Sequence, residues 1–197
     1  MKDKLRKKLI SLRKSISKNE VFEKSKKIKN RLFKMKEFKE ASTILFYVSY
    51  DNEVYTHEMI KDSISNKKNI VLPVTDKKNK TLILSKLESF YDLSPGAYNI
   101  LEPSKEKIKE ISIDDLDLII VPGIGFDKNG HRIGHGKGYY DKLLKNSKAP
   151  KIGLSFESQI VKNVPIEKHD IHMDKIITEK RIIDCKKNLS HNVFESV

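Results

Sequence analysis

Apolar positions follow two rhythms along this chain. Between residues 2 and 17, Leu5, Leu9, Leu12 and Ile16 recur at steps of four, three and four, which lays one apolar stripe along a helix while lysines fill the other faces. The same period returns over residues 20–40, where Val21, Ile28, Leu32 and Met35 share a face and predict a second helix. Residues 43–49, TILFYVS, then form a nearly continuous apolar run, as a strand covered on both faces requires. A helix is expected over 54–65, with Val54, Glu58, Ile60 and Ile64 as its markers, and strands at NIVLPV (69–74) and TLILSKL (81–87). The segment SPGAYNILEPS (94–104) reads as a Pro/Gly loop crossing the surface. LDLIIVP (116–122) is the clearest strand, with an acid near its start and Pro-Gly as terminator. GYYDKLLKN (138–146) opens a helix, and KIGLSF (151–156) and DKIITE (174–179) are strands. After Ile183 no periodic signal remains, and that tail is expected to fray.

Strands separated by helices predict an α/β fold: an open, mostly parallel β-sheet flanked by helices, three-layer, with two N-terminal helices. Residues 1–184 are expected to form a single domain and 185–197 a C-terminal tail. The 197 residues suit one domain, and a 38% hydrophobic content supplies one core.

Composition narrows the picture further. One cysteine, Cys185, rules out an internal disulfide framework and a Cys-rich metal site, and a reducing, cytoplasmic location fits it. The start, MKDKLRKKLISLRKS, has neither a continuous apolar segment nor a small-residue cleavage site, so it does not read as a secretory signal; Asp3 and Glu20 weaken a transit-peptide reading. No apolar run is long enough to span a membrane. The formal charge is +13, but only five of the forty basic residues are arginine. Nucleic-acid binding, attraction of a polyanionic substrate and simple solvated lysines all fit such an excess. The lysines are scattered, without the clustered arginines and interleaved aromatics of a nucleic-acid surface, so most are read as solvated decoration.

The chemistry concentrates in residues 117–144, DLIIVPGIGFDKNGHRIGHGKGYYDKLL. Five glycines fall between Gly123 and Gly136, and Gly138 is a sixth. This stretch leaves a strand and enters a helix, so it sits at the carboxyl edge of the sheet, where α/β proteins bind ligands. Glycines let main-chain N–H groups approach a phosphate, and a helix N-terminus adds partial positive charge. Arg132 offers a planar fork for phosphate oxygens and Lys137 a mobile point charge. Asp141 suits Mg2+, which takes one or two carboxylates together with phosphate oxygens. The loop is not a Walker A motif: Gly138 follows Lys137, and His131 stands where the first glycine belongs. Nor is G-x-G-x-G the Rossmann fingerprint. An ordinary long turn with its lysines in water is the competing reading. Glu53, just past a strand, reads by itself as an acidic helix start. Asp170 and Asp174, with His169 and His172 nearby, fit a carboxylate aiding Mg2+ better than a zinc site, since no H-E-x-x-H occurs. Tyr139 and Tyr140 either pack inward or stack on a flat ligand ring.

Taken together, these segments resemble the 5-formyltetrahydrofolate cyclo-ligase family. PGIGFDKNGHRIGHGKGYYD (122–141) is similar to its signature PG-x-x-FD-x-x-G-x-R-[LI]-G-x-G-x-GYYD, and KDKLR (2–6), YVSYDNEVYT (47–56), LSPGAYNILEP (93–103) and VPIEKHDIHMDKIITE (164–179) resemble further family segments in the same order. The resemblance implies conversion of 5-formyltetrahydrofolate and MgATP to 5,10-methenyltetrahydrofolate, ADP and phosphate through a phosphorylated formyl group. It implies ATP contacts from Lys2, Asp3, Lys4, Leu5 and Arg6, and from Arg132, Ile133, Gly134, His135, Gly136, Lys137, Gly138, Tyr139 and Tyr140. It places Val48, Glu53, His135, Gly136, Lys137, Gly138 and Tyr139 against the folate, and Asp141 and Asp170 on Mg2+. Arg132 and Lys137 would stabilise the transferred phosphoryl group, and Asp174 would be structural. The implied partner is the small-molecule folate, polyglutamylated or not; no nucleic-acid or membrane partner is expected, and the chain is expected to be a monomer. His135 and Asn99 depart from the family pattern, Asn99 standing where a turn glycine is frequent. A phosphate-using isomerase or acyl-CoA enzyme on a similar sheet, and an RNA-binding protein, are the rival classes.

Overall fold

The computed structural model describes residues 1–167 and 170–186. In chain order the elements are α1 (Lys2–Lys14), α2 (Lys18–Lys34), α3 (Lys36–Glu40), β1 (Thr43–Leu45), α4 (His57–Ser65), β2 (Asn69–Asp76), β3 (Thr81–Leu87), β4 (Leu93–Pro95), β5 (Leu101–Pro103), β6 (Leu118–Val121), β7 (Gly125–Asp127), β8 (Arg132–Ile133), α5 (Tyr139–Lys145), β9 (Lys151–Leu154), β10 (Ile160–Val161), β11 (Lys175–Ile177) and β12 (Ile182–Asp184).

The main sheet runs in the order β12-β11-β9-β6-β1-β2-β3. Its five central strands are parallel, and β12 and β3 close the two edges antiparallel. Strand residues alternate between two cores. Ile44, Ile120, Ile152 and Ile177 face α2, α3 and α4 together with Val21, Ile28, Leu32, Phe38 and Ile60. Leu45, Ile119, Val121 and Ile176 face the other way, onto Leu144 of α5 and Met173. Both faces are covered, which explains the uninterrupted apolar runs of β1 and β6. This is the expected mixed α/β architecture with a large, mostly parallel sheet.

Several boundaries differ from the periodicity. The second helix is two: Met35 takes an extended conformation (ψ 145°) between α2 and α3. Phe38 stays buried on the face that Leu32 used, so the apolar rhythm runs through the break. Ser17 stops the first helix by capping the next, accepting from the Glu20 amide in a reciprocal capping box. On α1 the apolar stripe is imperfect: Leu12 is exposed, and Arg13 is buried.

The strand expected at 43–49 keeps its ladder only to Leu45. Beyond Phe46, whose amide still donates to Val71 O, the chain is held by a side chain instead: Thr56 Oγ1 donates to Tyr47 O and accepts from the Ser49 amide. Freed from its neighbours, this segment opens the carboxyl edge of the sheet. The Pro/Gly segment at 94–104 holds a β4–β5 hairpin rather than a plain loop. The glycine-rich stretch contains β7 and β8, which with β10 make a second, three-stranded sheet. β12, a strand the periodicity did not mark, ends at Asp184, one residue into the segment expected to fray. His169 and the chain beyond residue 186 lie outside the described residues.

Candidate functional site

A cleft of about 250 Å³ opens at the carboxyl edge of β1, β2 and β6. One wall is Tyr47, Val48, Tyr50 and Glu53; the floor includes Pro122 and Gly123; the opposite wall is Arg132 and Gly134 through Asp141, and the β4–β5 hairpin roofs it with Tyr98 and Glu102.

The glycine loop is built from a turn. Asp127 is buried at the end of β7, and its carboxylate accepts from the amides of Asn129, His131 and Val164 and faces His131 Nδ1 at 2.8 Å. These bonds fold the β7–β8 turn, where Gly130 has φ +91° and has Met173 O 2.5 Å from the place a Cβ would occupy. β8 then delivers Arg132 to the cleft and Ile133 to the opposite side. Gly136 (φ +84°) and Gly138 (φ +70°) give the loop the left-handed turns that L side chains rarely adopt.

Arg132 is almost wholly buried. Its Nη2 donates to Asp141 Oδ1 at 2.6 Å and its Nη1 to Pro122 O at 3.2 Å, while Nε has no hydrogen-bond partner. Its guanidinium lies 5.7 Å from the Tyr140 ring centre. The Tyr140 hydroxyl is buried and also unpartnered, and burial pushes its ionisation well above the usual phenol range. Two buried polar groups without partners at one cleft fit a polar ligand.

Lys137 stands over the Tyr98 ring, 3.3 Å from its centre, and Lys77 approaches the same ring to 5.1 Å. The Lys137 ammonium, and then a bond to the Tyr139 hydroxyl, hold the Tyr98 phenol below its ordinary value; the same bond raises Tyr139. Tyr98 (φ +59°) and Asn99 (φ +60°) are both left-handed. Asn tolerates that conformation readily, whereas a tyrosine there is strained. Glu102 holds the hairpin in this place by accepting from Thr75 N, Thr75 Oγ1 and Ala97 N.

On the facing wall Glu53 is buried. Its Oε2 accepts from Tyr50 N at 3.3 Å, and its Oε1 accepts from Arg13 Nη1 at 3.3 Å and lies 3.8 Å from His135 Nε2. The Tyr50 hydroxyl meets the same His135 nitrogen at 3.1 Å. Desolvation, then the Glu53 charge, raises the Tyr50 phenol.

The structure thus gathers Val48, Glu53, Arg132, Gly134, His135, Gly136, Lys137, Gly138, Tyr139, Tyr140 and Asp141 around one cleft. Other expected residues fall elsewhere. Ile133 is buried against Leu9, Ile124 and Val164, so its side chain serves packing and does not face the cleft. Of the five residues at the head of α1, Arg6 touches the loop, donating to Gly134 O at 2.9 Å. Asp3 pairs with Arg6, Lys4 is exposed, Leu5 packs near Leu9, and Lys2 reaches Asp170 at 2.8 Å. None of these five lines the cleft, and neither does Asp170. Asp174 accepts from Lys151 N at 2.8 Å, which ties the start of β9 to the start of β11. α5 has seven residues, so its dipole is small and the positive field rests on Arg132, Lys137 and Arg6.

Tyr50, Tyr98, Glu102 and Arg13 were not anticipated. The turn signals around Gly96 and Asn99 mark a bend but not that it folds over the loop. No local pattern says that Arg13 points inward.

Among the described residues, no group of three or more His, Cys, Asp or Glu is arranged to hold a metal ion. The carboxylate of Asp141, at the cleft beside Arg132, is the donor that fits a hard cation completing its shell with phosphate and water oxygens. Among the described residues, no helix is long and apolar enough to cross a membrane.

Comparison with known proteins places these residues in context. Residues 1–179 match the model of the 5-formyltetrahydrofolate cyclo-ligase family. A Mus musculus 5-formyltetrahydrofolate cyclo-ligase is 31% identical over 73% of this chain and 76% of its own length. The Saccharomyces cerevisiae 5-formyltetrahydrofolate cyclo-ligase is 36% identical over 66% of this chain and 72% of its own. The solution structure of Aquifex aeolicus 5,10-methenyltetrahydrofolate synthetase is 32% identical and superposes with a TM-score of 0.84, covering 94% of this chain and 93% of that one.

Proposed function

Since the chain belongs to the 5-formyltetrahydrofolate cyclo-ligase family, we propose that its cleft joins ATP-driven phosphorylation to closure of the folate ring. The chain is an enzyme of that family, acting on 5-formyltetrahydrofolate to give 5,10-methenyltetrahydrofolate. The remaining steps are read from chemistry. A formamide oxygen is a poor leaving group, so direct closure by N10 would have to expel oxide or hydroxide. If the formyl oxygen attacks the γ-phosphorus of ATP, the P–O bond to ADP breaks and a phosphorylated imidate forms. N10 then bonds to the formyl carbon and loses its proton, and the carbon–oxygen bond breaks to release phosphate.

The residues divide this work between the two walls. Arg132 and Lys137 supply fixed positive charge where the phosphoryl group would pass, and the left-handed turns at Gly136 and Gly138 let main chain approach it. Glu53, with a second lone pair on each oxygen, accepts N–H groups of the pterin edge, and Val48 and Tyr139 offer apolar surface to its ring. We assign Mg2+ to Asp141. When bound, Mg2+ would neutralise charge on the phosphates. Asp170, paired with Lys2 outside the cleft lining, is assigned to anchoring the first turn of α1.

What carries this reading is the meeting of Glu53 and the Arg132–Asp141 pair across one cleft: a group that suits a pterin faces groups that suit a triphosphate. The test is to mix the purified protein with 5-formyltetrahydrofolate, ATP and Mg2+, follow methenyltetrahydrofolate absorbance, and omit each component in turn. Product should form only with all three. Product without ATP, or ATP hydrolysis indifferent to the folate, would overturn the reading.

A further inference from the structure

Helix α1 meets both walls of the cleft with one face. Arg6, Leu9 and Arg13 are three and four residues apart, the spacing that stacks side chains along a helix. Leu9, in the middle, packs on Ile124 and Ile133 beneath the glycine loop, and its Cδ1 lies 2.5 Å from the place a Cβ on Gly125 would occupy. Arg6 holds the loop at Gly134 O, and its Nη2 is 3.3 Å from where a Cβ on Gly136 would stand.

Arg13 turns to the other wall. It is 2% exposed and does not line the cleft. Its Nη1 donates to Glu53 Oε1 at 3.3 Å, Glu53 in turn accepts through Oε2 from Tyr50 N, and the Arg13 Nη2 stands 3.8 Å from Asp51 Oδ2. The end of the helix grips the same segment from the main chain, since Asn52 Nδ2 donates to Ile16 O at 2.6 Å and to Arg13 O at 3.3 Å. Residues 50–53 are therefore bound to α1 by both a guanidinium and a cap.

We propose that Arg13 is a positioning residue for the folate: it fixes Glu53 and Tyr50 in the orientation that reads the substrate, without touching the substrate itself. This rests on the reading above that Glu53 meets the pterin. Stability alone does not account for an arginine here. A buried ion pair is often no more stabilising than apolar side chains of the same volume, and Arg13 Nε is left without a hydrogen-bond partner. What an apolar residue would lose is the direction it gives to the carboxylate. Arg6 and Arg13 on one rigid helix also fix the distance between the phosphate wall and the folate wall.

The experiment compares Arg13→Met and Arg13→Lys with the parent enzyme, measuring KM for 5-formyltetrahydrofolate, KM for ATP, kcat and the thermal midpoint. Arg13→Met is expected to raise the folate KM about tenfold or more while KM for ATP and kcat stay within about twofold, the pattern of lost substrate binding. Arg13→Lys keeps the charge and is expected to recover most of the loss. Added to Glu53→Gln, Arg13→Met should cost little more, because coupled residues are not additive. An unchanged folate KM, equal rises in both KM values, or a full additive loss on Glu53→Gln would overturn the proposal. If Arg13→Met does not fold, Arg13→Gln takes its place: a rise in folate KM alone supports positioning, and no rise or a parallel rise refutes it. A parent enzyme without folate turnover would instead refute the function proposed above.

Discussion

Replacing Arg132 by alanine separates the two tasks assigned to it. In the folded protein it is paired with Asp141 at 2.6 Å, bonded to Pro122 O, and stacked toward Tyr140. Removing it strands the Asp141 carboxylate. A fully buried stranded charge costs about 3–5 kcal/mol. The Asp141 side chain is 23% exposed, however, so water partly recovers it, and the loss should be nearer ~2 kcal/mol. For a chain of this size that lowers the thermal midpoint by about 4–8 °C, leaving the protein folded at 25 °C. The catalytic loss should be larger: one group aimed at developing charge is worth about 10²–10³ in kcat. Scanning calorimetry and the rate of methenyltetrahydrofolate formation measure the two effects on one sample. Arg132→Lys should regain most of the stability but only part of the rate, because a point charge lacks the fork. Asp141→Asn should also lower turnover by about 10². Near-normal turnover in folded Arg132→Ala would refute the assignment of the transferred phosphoryl group to this wall.

Other outcomes follow from single groups. A Cβ on Gly138 meets no heavy atom within 4 Å, so Gly138→Ala should cost only the ~1–2 kcal/mol of a left-handed backbone, yet raise KM for ATP by filling space that a phosphate needs; an unchanged KM in titrations of initial rate would count against the cradle. Burial pushes the Cys185 thiol up to about 12, so the native protein should resist an aromatic disulfide reagent at pH 8 and react with one equivalent after unfolding; rapid native labelling would contradict this. Burial, opposed by a bond to Ser49 O, holds the His57 imidazole below its ordinary value. The unfolded chain therefore takes up this proton first, so His57 contributes full stability above about pH 6.5 and loses it as pH falls through the folded-state value. The thermal midpoint should drop between pH 7 and pH 5, and His57→Asn should shrink that drop; an equal drop in the variant would remove His57 as the cause.

The sheet was legible because β1, β2, β6, β9 and β11 are buried on both faces and therefore carry unbroken apolar runs. The break at Met35 was not, because the backbone turns there without a glycine or proline and Phe38 keeps the apolar period. β7, β8 and β10 are two or three residues long and lie among glycines, too short to show an alternation. The gathering of Gly134 to Asp141 along one wall of the cleft could be read because these residues are contiguous. The facing wall depends on Arg13, Tyr50 and Glu53 meeting across 40 residues of chain, and Leu12 and Arg13 exchange their expected environments for a reason that only tertiary charge pairing supplies. Lys2 and Asp170 were assigned to different ligands, and the structure joins them to each other.

The central claim is that the formyl oxygen leaves as part of phosphate. Substrate carrying 18O in the formyl group, turned over with unlabelled ATP, tests it through the mass of the released phosphate. The account predicts one 18O atom in each phosphate; label recovered in water, with unlabelled phosphate, would contradict it.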